Sequence, residues 1–519
     1  MSNIVGKIVQ GFPFGPPRRL HRAAADPIRT QQRLLRQLVR RARATVYGAR
    51  LGLSAIASDP NLPDAVGRYV PLQTYEDIHE LVERARGGEP DVMWPGKIFD
   101  FAVSSGTASA GKIIPLSRET LRNNSRFSLA AALNHFNHTG DTSMWRGKML
   151  SLPGRIEEDP RYPGTLIGEV SGFQSRYAPR FVRQLYQAVP HDILFMDNWD
   201  RKLDAVVEHT LDQDIRVMVM VPSWALVLFD KLLAAHNRRR GVSKARRVLD
   251  VWPNLRVFFS GGVSLSSYRE LLTQQIGASI RFVESYGASE GYFAIQDRPD
   301  DSDMLLHLDN GVFYEFVPMD QVGTGSPERL WLRDVQLDTR YALYVSSCSG
   351  LWSYSVGDVV RFTSHEPHKI VVAGRTSEMI DKYGEAVFGE EARAALHAAC
   401  TTTGARVVEY HVAPTRVESG SLPAHEWLIE FERLPSDPDA FGRAIDEYLQ
   451  QVNRHYQIRR EAGAFMGPRV VGVPRGTFTM WLEHARDRVS VQSKVPRMSE
   501  ERHIADGVLT FAANTEGES

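Results

Sequence analysis

A chain of 519 residues is longer than one hydrophobic core usually supports, so two or more domains are expected. Lysine plus arginine and aspartate plus glutamate each number 62, and zero formal net charge removes the bulk electrostatic reason to expect a nucleic-acid or membrane-surface partner. Two cysteines, Cys348 and Cys400, make neither a disulfide framework nor a zinc set, and they fit a reducing, cytoplasmic compartment.

In chain order, residues 1–19 are broken by Gly11, Pro13, Gly15, Pro16 and Pro17, with no sustained apolar core, and no later run approaches membrane-spanning length. No membrane is therefore expected as a partner. Residues 29–47 carry Leu34, Leu35, Leu38, Val39 and Ala42 at helical spacing, with arginines on the opposite, solvated side. A strand is expected over 98–103, followed by the glycine-, serine- and threonine-rich stretch 104–115, SSGTASAGKIIP. Strands at 215–221, 257–259 and 280–283 alternate with helical periodicity, an α/β pattern. Shorter strands at 311–317, 329–332, 341–345 and 359–363 read as a β-rich subdomain. After a strand-to-turn seam at 370–377 the chain starts afresh with a helix over 388–400, strands over 405–412 and 427–431, and a helix over 438–451. The expected fold class is α/β: a large N-terminal domain over 1–373, sheets flanked by helices plus the β-rich part, and a smaller mobile α+β domain over 374–519.

Four segments carry candidate chemistry. In the first, backbone N–H groups and the hydroxyls of Ser104, Ser105 and Thr107 around Gly106 suit phosphate oxygens. From Gly106 the letters almost spell a nucleotide triphosphatase P-loop, but Ile113 stands where a magnesium-binding hydroxyl is needed. Ile113, Ile114 and Pro115 read instead as a second strand, with a helix beginning only after the N-cap Ser117. In the second, Tyr286, Gly287, Ala288, Ser289 and Glu290 follow a strand. Gly287 to Gly291 matches the G-x-S-x-G elbow of serine hydrolases, but Tyr292 to Ile295 reads as a strand where an elbow needs a helix. The competing reading gives Tyr286 an adenine ring, Ser289 a phosphate and Glu290 a magnesium ion. Upstream, Gly261 and Gly262 let backbone approach a base or an acyl group, or simply make a tight turn. In the third, Asp358 sits at a turn where one carboxylate could accept from both ribose hydroxyls. In the fourth, Lys494 lies beside Pro496 and reads, taken alone, as surface.

These pieces in this order resemble the adenylate-forming superfamily and, more closely, its Gretchen Hagen branch of acyl acid amido synthetases, called auxin-responsive promoter proteins in plants. The resemblance rests on SSGT at 104–107, Y-G-x-S-E-G at 286–291, G-L-W-x-Y-x-V-G-D at 350–358, A-G-R ending at Arg375, G-E at Gly384 and Glu385, and K-x-P-R at 494–497. It implies an ATP- and magnesium-dependent ligase that adenylates a carboxylic acid and passes the acyl group to the amine of an amino acid. By resemblance Tyr286 lies against adenine, Asp358 holds the ribose, Arg375 counts among the nucleotide-binding residues, Glu290 holds magnesium, and Lys494 reaches the α-phosphate when its domain swings about the 374–377 seam.

Three departures stand out. The opening loop has one residue fewer than the usual S-S-G-T-x-x-G-x-x-K-x-x-P form, which puts the role of Lys112 in doubt. Ser353 replaces an arginine frequent among relatives, and Thr376 follows Arg375 where many acyl-CoA ligases carry lysine or aspartate. Transfer to CoA or a carrier thiol is the nearest alternative, and a serine hydrolase built on Ser289 a remote one. An acyl pocket is expected between the helix after Ser117 and residues 170–173. Neither the acid nor the amine is legible, and a monomer is the working expectation.

Overall fold

The computed structural model describes residues 16–516 except 104–111, 181, 197, 241–243, 263, 264, 266, 267, 279, 299, 300, 377, 381, 383, 384, 386, 417–422, 462–464 and 485–494. The chain divides into two compact units. Among the described residues the first takes 16–103, 112–356 and 360–372, and the second takes 357–359 and 373–516.

In the first unit the chain forms β1 (Asp100–Val103), β2 (Ile113–Leu116), β3 (Lys148–Ser151), β4 (Ile156–Glu158), β5 (Leu166–Gly168), β6 (Ile215–Val219) and β7 (Val257–Ser260). β8 (Arg281–Ala288), β9 (Gly291–Ile295), β10 (Met304–Leu306), β11 (Val312–Pro318), β12 (Arg340–Ser347), β13 (Tyr354–His365) and β14 (His368–Arg375) follow. A four-stranded sheet has the order β2-β1-β5-β4, and a ten-stranded sheet the order β11-β12-β13-β14-β10-β9-β8-β7-β6-β3. β3, β6, β7 and β8 are parallel neighbours, and from β8 to β9 the pairing turns antiparallel.

The strand-rich segment expected as a separate subdomain is therefore the continuation of the α/β sheet, because β8 is long enough to pair β7 along its first half and β9 along its second. The strand expected over 280–283 accordingly runs on to Ala288. No strand forms at 329–332; Leu330 makes one isolated bridge with Phe316, and Arg329 turns its side chain inward. The helix expected over 29–47 is two helices, Pro27–Ala42 and Val46–Arg50, because the Thr45 hydroxyl accepts from Gly48 N at 3.0 Å and caps a new start.

Helices Trp199–Thr210 and Pro222–Arg240 cover one face of the parallel strands, burying Phe258 and Phe282 against Leu228 and Phe229. The N-terminal helix Pro27–Ala42 packs its Leu34, Leu35 and Leu38 stripe in one core with Phe101 and Ile114 of β1 and β2. No helix of the described residues is long and apolar enough to cross a membrane.

The second unit includes a short pair, β15 (Met379–Ile380) with β16 (Val387–Phe388), and a sheet of β17 (Arg406–Pro414), β18 (His425–Arg433) and β19 (Arg469–Val473) in that order. Period-two alternation sends Trp427 and Ile429 to one face, against Phe441 and Ile445, and Leu428 to the other, against Phe478 and Val508. Helices Gly389–Thr403 and Pro438–Val452 match the expected helices to within a few residues.

Buried histidines in each unit, His307 and His411 among them, make stability depend on pH. Burial pushes the His307 imidazole down to about 4, and burial does the same to His411 against the opposing effect of the Pro496 carbonyl, which takes the His411 Nδ1 hydrogen at 2.5 Å. Both folded values lie below the ordinary 6.5, so the contribution of the neutral rings is complete above that pH and is lost as the pH falls toward 4. The urea midpoint is expected to drop between about pH 7.5 and about pH 4.5, and His411→Gln should flatten that drop. A midpoint equally high at both pH values would contradict this reading.

Candidate active site

Parallel strands place their C-terminal ends side by side, and open α/β sheets hold ligands at that edge. Here the edge is made by Val219 of β6, Ser260 of β7 and the second half of β8, with Val219 opposite Phe259 and Ser260 opposite Glu284. Gly261 leaves β7 at this edge, and a Cβ there would stand 3.1 Å from Ser285 Oγ. That hydroxyl donates to Ser260 O at 2.9 Å, which ties the two strand ends together. Gly262 has φ +81°, a left-handed conformation that favours glycine. The paired glycines thus form a turn that leaves β7 at this edge.

β8 and β9 form a hairpin whose two turn residues are Ser289 and Glu290, with Ala288 opposite Gly291. A nucleophile elbow delivers its serine on a strand-to-helix turn; Ser289 stands on a strand-to-strand turn, so the structural context of the hydrolase alternative is missing. Glu290 is buried at 4 % exposure. The Tyr354 hydroxyl next to it is held far above its ordinary range, first by burial and then by the Glu290 charge. Tyr354 is fully buried, and its hydroxyl oxygen has no hydrogen-bond partner among the described residues. In the sequence Tyr354 appears only as part of G-L-W-x-Y, and no local pattern assigns it a role; its burial beside Glu290 is set by packing.

Tyr286 corrects an expectation in part. Its ring belongs to the sheet core, 5.1 Å from Phe293 between centroids and 8 % exposed, which leaves little of its surface for a base. The reason is the strand alternation: Tyr286 stands opposite Ala294 with its side chain on the apolar face. Gly287 is a point of close approach, since a Cβ there would sit 2.0 Å from Tyr292 Cδ1. Tyr292 in turn donates its hydroxyl to Gln174 Oε1 at 2.7 Å. Gly287→Ala is expected to displace the Tyr292 ring and lower acid-dependent ATP–pyrophosphate exchange by roughly tenfold, about the effect of a 1 Å misplacement reduced by local relaxation. An unchanged rate would show that the hairpin does not position reacting groups.

Asp358 lies within β13 rather than at a turn, because residues 354–365 stay paired in the sheet through Gly357, whose φ is +84°. The second unit brings two predicted residues together there: Arg375 Nε lies 3.3 Å from Asp358 Oδ1. The Thr376 N–H donates to Gly357 O at 2.9 Å and fixes the seam beside that pair. The predicted phosphate residues Ser104, Ser105, Gly106 and Thr107 lie outside the described residues. Their flanks behave as expected, with Val103 opposite Ile113 in an antiparallel pair and Ser117 Oγ accepting from Thr120 N at 3.1 Å. Lys112 acts on Glu76, whose carboxyl is held low first by its own backbone N–H, then by Thr74, and to a smaller extent by the Lys112 charge.

Lys494 also lies outside the described residues. The segment just after it is held along β17: Val412 N donates to Arg497 O at 2.8 Å, and Arg497 Nε stands 3.2 Å from Glu409 Oε1, with the guanidinium 5.2 Å above the Tyr410 ring. In the region expected to hold the acyl group, helices Arg118–Thr139 and Val170–Arg176 pack directly, with Gln174 Nε2 donating to Asn124 O at 3.4 Å. Ser353, where relatives often carry arginine, has φ +43° and donates to Glu315 Oε2 at 2.7 Å. A guanidinium arrives there from another element, since Arg329 Nη2 donates to Ser353 Oγ at 2.7 Å.

Magnesium needs few protein ligands, because it keeps waters and takes substrate phosphates. Among the described residues no three His, Cys, Asp or Glu side chains gather as a resident metal site. The buried Glu290 carboxylate at the hairpin tip is one acidic ligand of the kind magnesium takes.

A parallel sheet with a glycine turn and an acidic hairpin at its C-terminal edge, followed by a smaller α+β unit, defines the adenylate-forming class of fold. The model of the GH3 family N-terminal domain matches residues 17–194, that of the central domain 305–375 and that of the C-terminal domain 390–503. The chain belongs to the GH3 family. It is 26 % identical to the indole-3-acetic acid-amido synthetase GH3.8 of Oryza sativa subsp. indica, over 90 % of this chain and 87 % of that protein. It is 24 % identical to the indole-3-acetic acid-amido synthetase GH3.3 of Arabidopsis thaliana, over 90 % and 88 %. Among solved structures, the GH3.15 acyl acid amido synthetase in complex with 2,4-DB superposes with a TM-score of 0.76 at 18 % identity, covering 95 % of each chain. A 2-hydroxyisobutyryl-CoA ligase in the postadenylation state superposes at 0.57 with 12 % identity, over 93 % and 91 %. These two likenesses concern the fold.

Proposed function

We propose that this protein is an acyl acid amido synthetase that activates a carboxylic acid with ATP and conjugates it to an amino acid. The observation that carries the reading is the buried Glu290 carboxylate at the tip of the β8–β9 hairpin, in a chain that matches GH3 family segments at its N-terminal, central and C-terminal parts. In the first step an oxygen of the acid attacks the α-phosphorus, the bond from that phosphorus to the bridging oxygen breaks, and pyrophosphate leaves. In the second an amine attacks the acyl carbon, loses a proton, and AMP leaves.

Charge builds on phosphoryl oxygens in the first step, so preorganised cations and N–H donors lower its barrier. Bound magnesium supplies Lewis-acid stabilisation of those oxygens, and Glu290 would hold it. The backbone and hydroxyls of Ser104 to Thr107 would cradle phosphate, and Tyr286 and the Gly261–Gly262 backbone would border the base. Asp358 would accept from the ribose hydroxyls, steadied by Arg375. Lys494 would bring its charge to the α-phosphate from the C-terminal part of the chain, and excluding water there would protect the adenylate.

The test is acid-dependent ATP–pyrophosphate exchange across a broad panel of carboxylic acids, followed by amino acids or CoA offered to a working first step and products read by mass. An amide supports the proposal; a thioester formed in its place, or folded protein with no exchange on any acid, defeats it.

A further inference from the structure

A second charged site lies at the opposite edge of the same sheet. A cavity of about 390 Å³ opens at the N-terminal ends of β7 and β8. Its size is that of a small-molecule site. Four arginines reach it from four places in the chain: Arg256 just before β7, Arg281 at the first position of β8, Arg269 at the start of helix Arg269–Ile276, and Arg298 just after β9. The first two are neighbours, since Arg281 N donates to Arg256 O at 3.0 Å. The Arg269 guanidinium lies 5.2 Å above the Phe282 ring, which holds it at the wall.

Two carboxylates at the wall offset four guanidinium charges only in part: against burial, which raises it, the Asp141 carboxyl is held low chiefly by Ser143 and to a smaller extent by the Arg256 charge, and Asp297 is engaged by a lysine. Asp141 Oδ1 accepts from Ser143 N at 2.8 Å and caps a short helix, and Asp297 Oδ1 stands 2.9 Å from Lys369 Nζ. Among the described residues none of the four arginines forms an ion pair, whereas Arg216, one strand over, is paired with Asp214 at 2.8 Å. The His135 ring in the wall is 6 % exposed and stays neutral, because burial pushes its pKa down to about 4. Like charges gathered at a concave wall repel, and a multivalent anion relieves the repulsion while matching guanidinium geometry.

We propose that this cavity binds a small phosphate-bearing anion through Arg256, Arg269, Arg281 and Arg298. The eight residues of β8 separate it from the Glu290 hairpin by roughly 25 Å at 3.3 Å per residue, so it is an accessory site and not an extension of the nucleotide site. It does not depend on the proposed reaction.

The test is isothermal titration of the full chain with sodium pyrophosphate at constant ionic strength, comparing wild type, the double variant Arg256→Ala/Arg281→Ala, and Glu290→Gln. The double variant should lose a binding component or weaken it roughly tenfold or more, as expected for two lost charge-assisted contacts. Glu290→Gln should retain that component. All four arginines are exposed, and melting temperature checks that the double variant is folded; Arg298→Gln serves if it is not. Repeating the titration with AMP distinguishes sources: a component sensitive to the arginine changes assigns a nucleotide phosphate, and its absence a free one. Pyrophosphate binding identical in wild type and double variant overturns the proposal, as does citrate binding as tightly as pyrophosphate.

Discussion

Glu290→Gln is expected to lower acid-dependent ATP–pyrophosphate exchange by roughly 10²- to 10³-fold, the usual effect of removing one preorganised electrostatic group from a charge-stabilising site. The substitution keeps the shape and removes the charge. Because Glu290 is only 4 % exposed and sits on a two-residue hairpin turn, the amide should occupy the same place, and the melting temperature should change little. The defect should therefore be in chemistry rather than folding. If Glu290 works by holding magnesium, the variant should also need more magnesium to reach half its own maximal rate. The Tyr354 hydroxyl offers a second readout, since loss of the neighbouring charge should let that phenol titrate at a lower pH. Exchange within about threefold of wild type, under 1 kcal/mol of lost stabilisation, would remove Glu290 from the machinery.

Arg329→Ala is expected to destabilise the first unit by about 3–5 kcal/mol, the range for stripping one partner from a buried ion pair. Arg329 is joined to Glu315, and their side chains are 11 % and 4 % exposed. Its Nη1 donates to Gly67 O at 2.9 Å and also to Val70 O, and its Nη2 donates to Ser353 Oγ at 2.7 Å. The substitution would leave the Glu315 carboxylate in the sheet core with Ser353 as its remaining named donor. Urea unfolding followed in the first unit measures the loss, and Arg329→Met/Glu315→Leu should recover much of it because no charge then stays buried. A loss below about 1 kcal/mol for Arg329→Ala would mean that water reaches Glu315 and that the network does not hold Ser353 in its positive-φ conformation.

The site was legible where chemistry is written in short local patterns. The strand ends, the N-cap at Ser117 and the strand after Gly291 follow from runs of β-branched and aromatic residues and from single capping hydroxyls. Tyr286 shows the limit of that legibility. An aromatic in a motif reads as a stacking surface, but which face of the strand it takes depends on register with β9, and register placed the ring against Phe293. Arg329 shows the other limit. Local composition suggested a strand at 329–332, and nothing local says that its guanidinium crosses to Ser353, 24 residues away.

By itself the sequence determined the order of helices and strands, the break near residue 373 as an expectation, and the set of groups able to handle phosphate, because capping, alternation and motif spacing act over a few residues. Only the tertiary structure decided that the later strands continue the parallel sheet, that Asp358 belongs to a strand and pairs with Arg375, and that Glu290 is buried beside Tyr354. It alone gathered four arginines, separate in sequence, around one cavity. Those outcomes depend on which distant strands share hydrogen bonds and which faces lose water, and both quantities exist only once the chain has packed.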